Sequence, residues 1–350
     1  MPDVDECTYP GIWSTAMNTG IPMCRLAALL TTTVVALGQA APRKAIAQRP
    51  AAQRPAAPDP FSTAPARVPI GANFSRLELV TIGVATAAGI VMMAFGTRVF
   101  GAPAPSLGPP DPESFDRRWA DRLHTDNGTG GRFLARIPDV TGMFVNPYLP
   151  ALAYGIDVVA IGRTGTPWLT RDPNPDHRLA AYTEAIGWTL LATGITKTLV
   201  GRQRPYVVLN HPELAGSPDE RNLSFFSGHS AVMFAAASFI ALDVSRRLQD
   251  GPLASASPAR RWLEGAALPY FFAYGPAALV AVSRVIDQQH WPSDVLIGAL
   301  VGTGIGHAAY LAHFDDRGRP RGPDPSYTPS PMSVHVSPTP NGVALVGAFP

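Results

Sequence analysis

Lysine is almost missing from this chain. Of 28 Lys and Arg residues, only Lys44 and Lys197 are lysine, so positive charge is otherwise written as arginine. Cysteine is equally scarce. Cys7 and Cys24 are the only two, both ahead of the main apolar part of the chain, which excludes a disulfide framework and a cysteine-built zinc site there. Charged residues make up 15% of the chain, against about a quarter in ordinary globular proteins. The formal net charge of +2 provides no basic footprint for nucleic acid. What remains is apolar: 46% of residues are hydrophobic, and mean hydropathy is +0.07 despite long polar tails. The apolar content is therefore concentrated in part of the chain.

Met23-Cys24-Arg25, the run Leu26–Leu37 and then Gly38-Gln39-Ala40 have the charge, short apolar stretch and small-residue end of a secretory leader or N-terminal anchor. Residues 41–76 are rich in Pro, Ala, Arg and Gln and read largely as a disordered linker. Six apolar segments follow: Leu79–Gly96, Val140–Ile161, Leu179–Val200, Ser227–Leu242, Trp262–Val282 and Asp294–Leu311. Each is near the length that crosses a bilayer. Between the first two, Phe115, Trp119 and Leu123 recur every four residues and predict an amphipathic helix lying across the domain. The expectation is an all-α bundle of about six helices over residues 77–313, embedded in a membrane, with a soluble helical bundle as the alternative. Residues 314–350 form a polar tail in which alternation around Asn341-Gly342 fits a β-hairpin or an unstructured end.

Three short stretches carry chemistry. The first is Lys197-Thr198-Leu199-Val200-Gly201-Arg202-Gln203-Arg204-Pro205. In a chain nearly without lysine, Lys197 marks a place that wants an ammonium. The second is Ser227-Gly228-His229-Ser230, where Ser227 suits a helix cap and Gly228 admits close approach of a ligand to backbone. The third runs from Ser283-Arg284 to His290-Trp291-Pro292-Ser293-Asp294. Pro292 suits the first turn of a helix. His290 and Asp294 are four apart, so on one helix they would share a face and the carboxylate could orient the imidazole. Alone, each stretch is ordinary helix-end chemistry. In an up-and-down bundle, however, the third segment ends, the fourth begins, the fifth ends and the sixth begins on the same side. All three stretches then meet at one end.

The order K-x6-R-P, then S-G-H, then S-R-x5-H-x3-D resembles the type 2 phosphatidic acid phosphatase (PAP2) superfamily, which includes class A acid phosphatases and vanadium haloperoxidases. The resemblance covers about residues 115–312, and Phe226 stands where the family has proline. It implies an enzyme, a metal-independent phosphatase acting on phosphate monoesters or diphosphates through a phosphohistidine. His290 would be the nucleophile, Asp294 its orienting partner and His229 the acid and base. Lys197, Arg204, Arg284 and the amides at Ser227 and Gly228 would bind the phosphoryl oxygens. Arg202 is read as a loop charge rather than a ligand. No cofactor is implied, except vanadate if the protein is a haloperoxidase.

A bundle-end site in a membrane faces lipid headgroups, so a lipid phosphate or isoprenoid diphosphate is the expected substrate, with membrane lipids as surroundings and the 206–226 loop gating entry. Arginine placement favours a bacterial inner-membrane protein with its catalytic face in the periplasm. A cleaved leader ahead of a first span would reverse that orientation. The alternatives are a soluble periplasmic acid phosphatase, a phosphotransferase to an alcohol, and a non-catalytic membrane protein on the same fold.

Overall fold

The apolar runs become helices because each is bounded by residues that start or stop one. The computed structural model describes residues 68–101, 103–104, 107–123, 147–170, 172–211, 218–321, 333–339 and 342–348. Helix α1, Arg76–Phe100, opens on a capping box in which Ser75 and Glu78 exchange side-chain-to-backbone hydrogen bonds of 3.1 and 3.2 Å. Helices α2 (Phe115–Leu123), α3 (Tyr148–Thr164) and α4 (Pro175–Val200) follow. Helix α4 stops at Gly201, whose φ of +55° is left-handed and where a Cβ would overlap the Ala104 carbonyl. After the single turn α5 (Pro205–Val208) come α6 (Gly228–Asp250), α7 (Pro258–Ile286) and α8 (Pro292–His313). The expected leader and most of the linker lie outside the described residues, as do Cys7, Cys24 and part of the expected gating loop.

Among the described residues, four helices, α1, α6, α7 and α8, are long and apolar enough to cross a membrane. Helix α3 is only 17 residues long. Helix α4 is long enough but carries Asp176, Arg178, Glu184 and Lys197 and packs inside the bundle. The bundle expectation holds: these six helices form it, and several are those of a membrane protein.

Small residues set how closely the helices approach. Along α8, Gly298, Gly302 and Gly306 lie against the backbone of Ser227, Ala231 and Ala235 on α6, and a Cβ at any of them would overlap a carbonyl oxygen. Gly302→Val is therefore expected to push α8 off α6. It should cost at least the ~1–3 kcal/mol typical of overpacking, visible as a lower melting temperature in detergent. Gly89, Gly187 and Gly194 do the same between α1 and α4. The core below is aromatic, built on Tyr154, Tyr182, Phe239, Tyr310 and Phe314. In α7 a π-helical turn at Leu263–Ala267 frees the Gly265 carbonyl. Ser245 and Gln249 of α6 donate to it at 2.5 and 3.0 Å.

The folded body is larger than the sequence pattern predicts. Phe74 is buried and stacks on His313 at 4.1 Å, so the last residues of the expected linker are docked on the domain. Phe314 is buried as well, and residues 315–321 bond back to the bundle. This end also holds Arg178, paired with Asp172 and Asp243, and Glu184, bonded to His313 at 2.6 Å. Asp243 lies fourteen residues along α6 from His229, about 21 Å away, so these charges belong to the far end. The tail does contain a hairpin: β1 (Ser333–Thr339) pairs antiparallel with β2 (Gly342–Ala348), Ser333 opposite Ala348.

Candidate active site

Three separated stretches interlock at the bundle end where α4 and α7 finish and α6 and α8 begin. The Ser227 amide donates to the Asp294 carbonyl at 3.0 Å, tying the start of α6 to that of α8. The Tyr206 amide donates to the Gln288 carbonyl at 3.1 Å, and the Trp291 indole to the Gln203 carbonyl at 2.8 Å, tying the stretch after α4 to the loop after α7. The Ser224 amide reaches the Arg202 carbonyl at 3.0 Å.

His290 sits inside this junction, 2% exposed. Its Nδ1 lies 2.6 Å from the carbonyl oxygen of Ser224. A carbonyl can only accept, so Nδ1 carries the proton and Nε2 keeps its lone pair. Burial, and next the charges of Lys197, Arg204, His229 and Arg284, hold His290 well below the ordinary imidazole range. Those same four groups are the candidates read from sequence, so the structure brings them together around one nitrogen base.

Each cation is held in place. Lys197 Nζ donates to the Leu223 carbonyl at 2.8 Å. Arg204 donates through Nε to the Glu220 carbonyl at 3.0 Å, pairs with the Glu220 carboxylate at 3.1 Å, and also bonds Gln289 Oε1. Arg284 is braced by Asp287 at 2.5 Å. Preorganised cations of this kind suit an anion whose charge is spread over several oxygens.

Two of the sequence expectations are corrected. Asp294 does not touch the His290 ring. Helix α8 begins at Pro292 with Trp291 as its N-cap, so His290 lies outside the helix and shares no face with Asp294. Asp294 is instead the third helical residue, and its carboxylate folds back to the Trp291 amide at 3.0 Å. It also accepts from Ser224 Oγ and from Arg202, each at 2.5 Å. The imidazole is oriented by the Ser224 carbonyl, and Asp294 acts on Ser224. The second correction concerns Ser227. Its amide is committed to Asp294, and its hydroxyl accepts from the Ser230 amide at 3.3 Å and pairs with the Ser230 hydroxyl at 3.0 Å. That leaves the amides of Gly228 and His229, which have no intrahelical acceptor at a helix start, open for another acceptor.

Residues 178–317, containing all three stretches, match the PAP2 superfamily family model. Over 188 residues the chain is 29% identical to a PA-phosphatase related-family protein of Dictyostelium discoideum, covering 51% of this chain and 63% of that one. Over 87 residues it is 34% identical to a lipid A 1-phosphatase of Porphyromonas gingivalis, covering 25% of this chain and 16% of that protein. The chain thus spans less than two thirds of the length of either relative. No solved structure matches it.

Beyond the three motifs, the site relies on residues the pattern did not single out. Ser224 carries no sequence signal, because its contribution is a backbone carbonyl. Gln289 braces Arg204. Arg202, read as a loop charge, is an ionic clamp on Asp294. Its place inside the K-x6-R-P motif is a signal that could have been weighed. His307 lies exposed on the outer face of α8, away from the site.

Proposed function

We propose that this PAP2 domain is a metal-independent phosphatase that hydrolyses phosphate monoesters or diphosphates of lipids through a phosphohistidine on His290. One observation carries the reading: a buried imidazole with its lone pair held free by a carbonyl, among Lys197, Arg204, His229 and Arg284.

In the first step Nε2 of His290 attacks phosphorus. The bond from phosphorus to the leaving oxygen breaks, and His229 gives that oxygen its proton. In the second, His229 takes a proton from water, the water oxygen attacks phosphorus, and the P–N bond breaks to return His290 and inorganic phosphate. Lys197, Arg204 and Arg284 neutralise the oxyanion throughout, with the Gly228 and His229 amides beside them. These fixed cations fill the role a divalent metal would otherwise take.

The lipid substrate class is supported by the setting. The site lies at the end of a bundle in which, among the described residues, four helices are long and apolar enough to span a bilayer. The names of both relatives, one a PA-phosphatase related-family protein and one a lipid A 1-phosphatase, point the same way.

The test is phosphate release in detergent from phosphatidic acid, phosphatidylglycerol phosphate, undecaprenyl diphosphate and a soluble aryl phosphate. The expected result is turnover in excess EDTA, inhibition by vanadate, and preference for a lipid over the aryl phosphate. Absence of phosphate release from every member of the panel would sink the proposal, and halide oxidation with added vanadate would replace it.

A pH prediction follows from His290. It acts as the free base, and its environment lowers its pKa below the ordinary 6.5. Phosphoenzyme formation should therefore not fall as pH is lowered through 6.5, after correction for ionisation of the substrate phosphate, since protonation of the donor His229 can only raise the rate there, and it should fail only in more acid solution. A formation rate already falling as pH drops towards 6.5 would count against this environment.

A further inference from the structure

Helix α8 begins in an unusual way. Its N-cap is Trp291, which has no side-chain oxygen to accept the first amides. Two carboxylates, one from α8 itself and one from another helix, do this instead. Asp294 takes the Trp291 amide, and Asp116, from the distant helix α2, takes the Ser293 amide at 2.8 Å. Asp116 also accepts from Ser293 Oγ at 2.7 Å and from Arg202 at 2.6 Å.

Arg202 lies between the two acids. One nitrogen meets Asp116 and the other meets Asp294, while its guanidinium sits 5.7 Å from the Trp291 ring centre. The flat fork of arginine fits two carboxylates at once, which the single ammonium of lysine cannot do. From Asp294 the chain of bonds continues to Ser224 Oγ, and the Ser224 carbonyl holds Nδ1 of His290. A second tie runs from α2 to the same loop, where Gln288 Nε2 donates to the Ala120 carbonyl at 2.9 Å.

Helix α2 is turned to serve this purpose. The Phe115 and Trp119 side chains of its apolar stripe are 48% and 42% exposed, while Asp116 and Ala120 face inward. The amphipathic helix read from sequence is present, but most of its apolar stripe points outward. Asp116 lies outside residues 178–317, the part matched by the family.

We infer that Asp116 is a positioning residue for the nucleophile, setting the aim of His290 through Arg202, Asp294 and Ser224. This rests on the reading of His290 as nucleophile. The Asp116 carboxylate bonds Arg202 and Ser293 rather than Lys197, Arg204 or Arg284, so its loss should affect the chemical step and spare substrate binding.

Asp116→Asn is the informative change. It keeps the volume and one oxygen for the Ser293 amide, but removes the charge that holds Arg202. With phosphatidic acid in mixed micelles, kcat is expected to fall tenfold to a hundredfold, in the range of lost outer-shell contacts. KM should stay within about twofold, because the phosphate-binding cations are untouched. Arg202→Lys, which keeps the charge and loses the fork, should show the same split. Melting temperatures in detergent report folding alongside.

A wild-type kcat in Asp116→Asn overturns the inference. So does a loss shared by kcat and KM with a fall in melting temperature, which is a structural role only. His290→Ala assayed in parallel separates the two ideas: turnover retained there overturns the nucleophile itself, whereas an inactive His290→Ala beside a fully active Asp116→Asn overturns only the positioning role.

Discussion

Replacing His290 by alanine is expected to reduce kcat by about four orders of magnitude or more, the scale on which enzymes lose activity when a covalent nucleophile is removed. The proposed pathway has no substitute, since His229 is assigned the proton transfers and the remaining groups are cations. Wild-type enzyme quenched in alkali during turnover of labelled substrate should carry label on the protein, because a phosphohistidine survives base. His290→Ala should carry none. The cations remain in the variant, so binding of inorganic phosphate should survive. A variant that turns over at the wild-type rate would remove residue 290 from the chemistry.

The second large effect is on stability. Asp294 is fully buried and accepts from Arg202, Ser224 Oγ and the Trp291 amide. Alanine leaves a guanidinium only 11% exposed with one carboxylate instead of two, and strands a hydroxyl and a helix-start amide. Breaking a buried ion pair by removing one partner costs about 3–5 kcal/mol. Asp294→Ala should therefore lower the melting temperature in detergent substantially and abolish activity, since Ser224 and His290 lose their support. Asp294→Asn keeps oxygen for one of the three donors and should be destabilised less. Equal melting temperatures for wild type and Asp294→Ala would show that this network holds nothing together.

The helices were legible from the chain alone because their signals are local. The apolar runs of α1, α6, α7 and α8, the serines before α1 and α6 and the prolines opening α4 and α8 act over a few residues. The meeting of Lys197, Arg204, His229, Arg284 and His290 was legible for a related reason: in an alternating bundle, helix ends determine which side each residue reaches. The identity of the group that orients His290 was not. The spacing of His290 and Asp294 implied a shared helical face, but the helix begins two residues after His290, and that boundary depends on how Trp291 packs between Gln203 and Arg202. Helix α2 misled in the same way. Its apolar stripe was visible, but which face turns inward depends on the acid-binding Arg202 beneath it.

The sequence by itself determined that this chain is a bundle of apolar helices with a cationic, two-histidine site at one end, because helix periodicity, capping and alternation are written in neighbouring residues. Only the tertiary structure decided that a serine carbonyl orients His290, and that Arg202 links Asp294 to Asp116 on a helix outside the family match. Those contacts join residues 66 to 92 positions apart along the chain, and a hydrogen bond closed by folding leaves no pattern in the neighbours of either partner.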